Sequence, residues 1–468
     1  MKNLFSSRFY QLLTILALLL ASVVMSAQAC PNPPMAPTNF SPQAPPDACV
    51  PDGFPGNPIA FFDDYSWRTF VAMIWPALQN QRGMPDPNKN VGDTSVPLVF
   101  ETFKQDWEIF QPNGNGPSAT WNDFEQNNPC KLQSVGFNDF LLASFSEFGN
   151  LGEAGFGNLT HALPAQNKTW VRYATAFNQS EFNDIVPNQF YLRSKLPTSG
   201  ITFHNGAIDV KSSWIDMTNV PHPERYYTRQ AWLKDPVTGS CSAQPTTVGL
   251  VGLHIVQKTP TRPQWIWSTF EQVDNVPSPN SSPGSKFTFN DGTGTSMPGS
   301  DPNQGFPPMN WANPIVYNVQ RKKPTHPSTQ QTNAAYQKAV GGVWQFYQLV
   351  MTQWPLDVSQ PSVPGTPSHT FPGTGANTSF ANTTLETWDQ NSIGTGCMAC
   401  HTQAQKSTDF LWTLQVNAFP PLAPVNAFTV AQRPTLPVEN LKSVLASGEA
   451  ANKPKVKPKK PAAKTPNK

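Results

Sequence analysis

Apolar residues recur at three- and four-residue steps from Trp67 through Phe70, Val71, Ile74 and Trp75. That spacing predicts a short amphipathic helix opened by the acids Asp63 and Asp64 and stopped by Pro76. A longer helix is predicted over 333–353, where Tyr336, Val340, Trp344, Tyr347 and Met351 share a face and Pro355 ends the run, although Gly341-Gly342 weakens it from within. Between these helices the period changes to two. Segments 207–217, 225–234, 246–257 and 264–271 are rich in β-branched and aromatic residues and are separated by Pro, Gly, Asn or Asp, which predicts an antiparallel meander. An earlier strand is predicted over 169–177, followed by a helix opened by Ser180. Stretches 277–308 and 355–381 are polar and Pro/Gly/Ser-rich, hence loops or linkers. The fold class is therefore α+β and β-rich, a meander core with a few helices and long loops. It divides into a main domain over 30–381 and a C-terminal segment over 382–440.

Composition refines this picture at the two ends. Lys2 and Arg8, the apolar run from Leu12 to Val24 and the Ala27-Gln28-Ala29 site form an export signal over 1–29, too short to be a comfortable membrane span. No later stretch is long and apolar enough to cross a bilayer, so a periplasmic or secreted protein is expected. Residues 451–468 hold seven lysines and no acid among Pro and Ala, which predicts a disordered, extended basic tail. Its charge suits contact with an anionic surface or an acidic redox partner, or simple solubility. The body between signal and tail is acidic, with 23 bases against 30 acids; nothing in it suggests nucleic-acid binding. Of the six cysteines, Cys30, Cys49, Cys130 and Cys241 stand apart from any motif, and an even number in an oxidising compartment favours two disulfides. The preferred pairing is Cys30 with Cys49 and Cys130 with Cys241. Cys30 at the cleavage junction also raises lipidation as an alternative use of its thiol, although Ala27 and Gln28 fit a lipoprotein signal poorly.

The chemistry of the chain is carried by Cys397-Met398-Ala399-Cys400-His401, a CxxCH motif. Two thiols at this spacing add to the two vinyl groups of one porphyrin, and the histidine that follows reaches the iron, so one covalent haem c is expected with His401 as proximal ligand. A zinc site would need two further ligands at ligand spacing, and none is nearby. Only 67 residues follow His401, the last 18 of them the basic tail. The haem-attachment segment must therefore borrow pocket walls from the main domain.

The second axial position decides between electron transfer and chemistry on a bound small molecule. Of the six other histidines and seven methionines outside signal and motif, His254 is the best choice. On a strand it shares a face with Val248, Leu250, Gly252 and Val256, and Gly252 leaves room for a flat ring. The alternative is a core histidine held by a carbonyl or by Glu271. Met351 is the best sulfur candidate, while His222, His326 and His369 read as turn or loop residues. Lys211 shares a strand face with Asp209 and is expected to pair with it.

The segment Asn382-Thr383-Thr384-Leu385-Glu386-Thr387 leading into the CxxCH resembles a group of large bacterial mono-haem proteins, the cytochrome c family proteins with one C-terminal haem motif. The blocks 65–71, 249–254 and 265–274 are similar to the same group. The resemblance implies haem binding and electron transfer, as carrier or redox-complex subunit, and implies no substrate. Two alternatives stay open: a haem enzyme or gas-binding sensor with an open axial position, and a binding or structural module whose haem is a packing element. Size supports the first alternative, because a pure carrier needs only about a hundred residues.

Overall fold

A computed structural model describes residues 30, 36–145, 151–154, 162–278, 281–282, 284–293, 311–355, 381–390, 397, 401, 404 and 408–420. The expected export signal and basic tail, most of the 355–381 loop, His369, Cys400 and the 421–440 part of the expected haem segment lie outside the described residues. In chain order the elements are α1 (Ile59–Met73), β1 (Lys104–Gln105), α2 (Asp106–Ile109), β2 (Leu141–Leu142), β3 (Arg172–Phe177), α3 (Gln179–Ile185), β4 (Ile208–Asp216), β5 (Thr228–Leu233), β6 (Thr246–Thr259), β7 (Arg262–Gln272), α4 (Pro327–Val340), β8 (Tyr347–Gln353) and α5 (Trp412–Asn417). The architecture is α+β, with one eight-stranded, mostly antiparallel sheet and few helices.

The sheet is not a meander. Strand β6 pairs with β4 along one edge and with β5 and then β7 along the other, and β7 continues to β8. Beyond β4 lie β3 and β1, and β2 joins β5 in the one parallel pair among the described strands. Consecutive strands β4 and β5 thus sit on opposite sides of β6. At 14 residues β6 is long enough to serve both edges, which a meander of equal strands would not require.

Helix α1 is buried on nearly every side, as expected of a helix apolar all round. It begins four residues earlier than its acids suggested, so Asp63 and Asp64 lie in its interior instead of opening it. Asp63 accepts hydrogen bonds from Thr329 (2.6 Å) and Thr352 (2.8 Å), and burial pushes its pKa up to about 7. Asp64 accepts from Arg68 at 2.7 Å and from the Tyr336 hydroxyl at 2.5 Å. Helix α3 is opened by Asn178, whose side chain accepts from the Glu181 amide, so Ser180 lies inside the helix it was expected to cap.

The long helix expected over 333–353 is two elements. Gly341 and Gly342 adopt φ of +64° and +54°, a left-handed region that ends α4, and the chain re-enters the sheet as β8. Met351 is consequently a strand residue. Asn333 on α4 staples the two elements to α1: its Oδ1 accepts from Trp67 Nε1 (2.9 Å) and the Leu349 amide (3.0 Å), and its Nδ2 donates to the Leu349 carbonyl (2.8 Å). Around it Trp67 stacks on Tyr336 with centroids 5.3 Å apart, and Phe70 stacks on Phe270 at 4.3 Å. Burying each such aromatic contributes up to about 3 kcal/mol.

Cys30–Cys49 and Cys130–Cys241 are bonded, with Cα atoms 5.4 and 5.1 Å apart. The Cys30 sulfur is spent in that bond, which removes it from the thioether a lipid anchor would form. No helix among the described residues is long and apolar enough to cross a membrane.

Replacing Asn333 with Ala leaves the Trp67 indole N–H and both Leu349 backbone groups unpaired in the core. We expect Asn333→Ala to lower unfolding free energy by roughly 3 kcal/mol, measured by urea denaturation. A loss no larger than that of an exposed polar substitution would refute the staple.

Candidate functional site

One face of the sheet carries a polar stripe. Lys211 on β4, His254 on β6, Thr269 on β7 and Met351 on β8 are direct cross-strand neighbours, so their side chains emerge on the same side. The next row is Ser213, Gly252 and Glu271, and the row on the other side is Asp209, Val256, Trp267 and Gln353. His254 does not share its face with Val248 and Leu250, as simple alternation predicts. The β4–β6 register shifts between Ser213 and Trp214, leaving Val251 as an extra residue, and the alternation inverts across it. Val248 and Leu250 therefore join Leu253 and Ile255 in the main core.

Segment 382–388 covers this stripe and satisfies it. Asn382 Nδ2 donates to Thr269 Oγ1 (3.0 Å) and to the Phe270 carbonyl (2.8 Å), while its Oδ1 accepts from the Thr384 amide (2.9 Å). The Thr383 amide and Arg321 both donate to Glu271. Thr384 Oγ1 lies 2.8 Å from Ser213 Oγ, and the Thr384 carbonyl accepts from Tyr173 (2.8 Å). All three residues from Asn382 to Thr384 are fully buried. Gly252 matters here because a Cβ at its position would lie 2.4 Å from Thr384 Oγ1 and 2.5 Å from Ser213 Oγ. The space it provides admits this segment, not a planar ring as the sequence suggested.

Glu386, four residues on, reaches His254: Oε1 lies 3.1 Å from Nε2, and Oε2 accepts from the Asn382 amide at 2.7 Å. Burial alone would raise the Glu386 pKa, but His254 beside it holds the carboxyl below its ordinary value. His254 thus takes Glu386 and not the Glu271 of the neighbouring strand, which is engaged by Arg321. Lys211 reaches Glu153 instead of the expected Asp209.

The CxxCH residues that are described lie beyond this segment. Cys397 packs on Val350 and Met351 of β8. His401 lies against Trp267, ring centroids 4.3 Å apart and planes tilted by 51°. Its Nδ1–H donates to the Phe410 carbonyl at 2.7 Å. That carbonyl is presented by two consecutive left-handed residues, Asp409 (φ +48°) and Phe410 (φ +76°), a conformation costly for a bulky side chain. Phe410, Leu411 and Leu414 hold it by inserting into the main core. Burial pushes the His401 pKa down to about 4, opposed by the Phe410 carbonyl and assisted by Lys211 and His254. The ring is therefore neutral at pH 7, with its proton fixed on Nδ1 and the Nε2 lone pair left for a metal. These residues fit a haem iron.

Of the sequence-derived candidates, the structure brings Cys397, His401, His254, Lys211 and Met351 to one sheet face. His222 sits in an exposed turn and His326 caps α4 by accepting from the Ser328 amide. Glu386, Glu153 and Trp267 went unassigned in the sequence reading. Glu386 lies in the segment that leads into the CxxCH, and only the fold sets it against His254. No protein-family model matches the chain, and no curated protein or solved structure is significantly similar to it.

Gly252→Ala should dislodge Thr384 and with it the segment that leads to the CxxCH, at a cost of roughly 1–3 kcal/mol. We expect faster proteolysis within 382–401 than in the wild type, with the β-sheet circular dichroism retained. Equal cleavage rates would show that the segment is held by other contacts.

Proposed function

We propose that this chain is an exported, single-haem c-type protein that transfers electrons as a carrier or as part of a redox complex. Cys397 and Cys400 would bind the porphyrin and His401 Nε2 the iron; the bound group would supply one-electron redox chemistry. The observation that carries the reading is the hydrogen bond from His401 Nδ1 to the Phe410 carbonyl. It fixes the tautomer that leaves Nε2 unprotonated, and histidine ligands are ordinarily oriented this way. The two disulfides fit the oxidising compartment where such motifs are loaded.

A specific observation favours a second reading, a haem enzyme or gas-binding sensor. Glu386 engages His254 at Nε2, so His254 reaches an iron only through Nδ1 or after that pair parts. Lys211, His254 and Glu386 together act on the charge of His401, an acid–base set that a plain carrier does not need. Met351, beside Cys397, is the remaining sulfur candidate for the sixth position.

Covalent attachment is read directly by pyridine haemochrome after acid-acetone extraction. The wild type should retain one haem and the Cys397→Ser, Cys400→Ser double variant none; covalent haem retained in the variant would refute the assignment. Carbon monoxide then separates the two readings. A reduced wild type whose spectrum ignores carbon monoxide, with binding gained in His254→Ala, supports the carrier with His254 on the iron. Rapid binding by the wild type, with less than a twofold change in affinity in His254→Ala, supports the open site.

A further inference from the structure

The restraints on His401 converge on a side chain to which the haem reading gives no role. Lys258 of β6 is buried, and its ammonium spends its donors inside the protein. Nζ donates to the Pro263 carbonyl at 2.9 Å and to Asp409 Oδ2, and lies 5.4 Å from the centre of the Trp265 ring. Asp409 Oδ2 also accepts from the Phe203 amide at 2.9 Å, and the Phe203 ring meets Trp265 edge-on with centroids 5.7 Å apart. One lysine is thus tied to two stretches of backbone.

Each stretch is held in an unusual conformation, and each touches His401. Opposite Lys258 the β6–β7 register slips: Gln257 pairs with Ile266 and Thr259 with Arg262, so Pro263, Gln264 and Trp265 bulge against Lys258 alone. Trp265 sits there at φ +71°, and in the other stretch Phe410 at φ +76° follows Asp409 at +48°. Trp265 and Phe410 are the two Phe, Tyr or Trp residues of positive φ among the described residues, and such backbone persists only where surrounding contacts over-determine it. The bulge turns the Gln264 carbonyl onto Trp267 Nε1 at 3.1 Å, and the Trp267 ring packs on His401 with centroids 4.3 Å apart. The Asp409 turn aims the Phe410 carbonyl at His401 Nδ1, 2.7 Å away.

Resting on the haem reading, we propose that Lys258 is the positioning residue for His401: it holds the carbonyl on Nδ1 and the indole against the ring, and so sets how strongly Nε2 donates to the iron. A firm Nδ1–H···O=C bond makes an imidazole the stronger donor, which favours oxidised iron and lowers the potential; a slack bond raises it. The charge of the ammonium acts in the opposite sense, because a nearby cation favours the reduced state and its loss lowers the potential. Positioning and charge therefore separate by sign.

The test uses the full-length holoprotein carrying Lys258→Met together with Asp409→Asn, a neutral pair that strands no charge in the core and leaves the net charge as it was. In a mediated redox titration at pH 7 the reduced-to-oxidised ratio at fixed potential should rise at least threefold, about 28 mV at 59 mV per tenfold. The His401 Nδ1 proton, followed by NMR, should exchange with water at least tenfold faster. The isosteric Asp409→Asn alone keeps an acceptor for the Phe203 amide and should speed that exchange as well. Lys258→Arg, which retains the charge and the donors, should stay within twofold of the wild type in both readouts. Asn333→Ala weakens the core on the opposite face of the sheet and should move neither, which separates orientation from stability. A ratio that falls or rises less than threefold, a proton exchanging at the wild-type rate, or the same shifts in Asn333→Ala would overturn the proposal. A chain that carries no haem overturns the haem reading instead, and the proton-exchange measurement still reads the role of Lys258.

Discussion

A sheet that buries both faces must pair every polar group on them, and that requirement governs this molecule. One face of β4, β6, β7 and β8 is conventional core: Trp214, Leu253, Ile255, Phe270 and Leu349 are all fully covered. The opposite face carries Lys211, Ser213, His254, Thr269 and Glu271, and an unpaired buried donor or acceptor costs about 1–3 kcal/mol. Glu153 takes Lys211, and segment 382–386 supplies partners for the others through three side chains and one backbone amide. Its docking is therefore specified by hydrogen bonds, which fix register as well as position. Because this segment leads directly into Cys397, the same bonds decide which part of the sheet faces the CxxCH motif.

The charges on this face are not explained by stability. Replacing a buried ion pair by well-packed apolar residues of similar volume is often neutral or stabilising, so ion pairs such as His254–Glu386, Lys211–Glu153 and Arg321–Glu271 are weak devices for holding a fold together. Buried pairs occur elsewhere too, Arg82–Glu108 and Arg229–Glu101 among them. What sets Lys211, His254 and Glu386 apart is that all three lie near enough to act on the charge of His401.

Much of the secondary structure is legible from local pattern, and the failures have identifiable physical causes. The four central strands lie within a few residues of their predicted ranges because alternation and β-branching are local signals. Their order is not local: nothing within β5 records that it will pair with β6 across from β4. The merged helix over 333–353 fails because Tyr336, Tyr347 and Met351 fall on a helical spacing by coincidence, and the Gly341-Gly342 signal within it was the better evidence. The inverted face of His254 fails for another reason. A single extra residue, Val251, breaks a period-two argument silently, since bulged and regular strands have the same composition. At the site the CxxCH is legible as a sequence pattern. Its partners were not, because Glu386, Trp267 and Phe410 acquire meaning only by contact.

The way His401 is held accounts for the length of the chain. Its Nδ1 acceptor is a carbonyl turned by two left-handed non-glycine residues, Asp409 and Phe410, and such a turn persists only if its surroundings over-determine it. Here they do: Phe410 and Leu414 are anchored in the main core, and Asp409 is gripped by Lys258 of β6 and by the Phe203 amide. The ring wall, Trp267, belongs to β7, and the contacts of Cys397 belong to β8. Each restraint on the motif thus originates more than a hundred residues from it or in the central sheet. The few dozen residues around the CxxCH contain His401 and its acceptor but not the packing that holds the two in place, so the large sheet is part of the site.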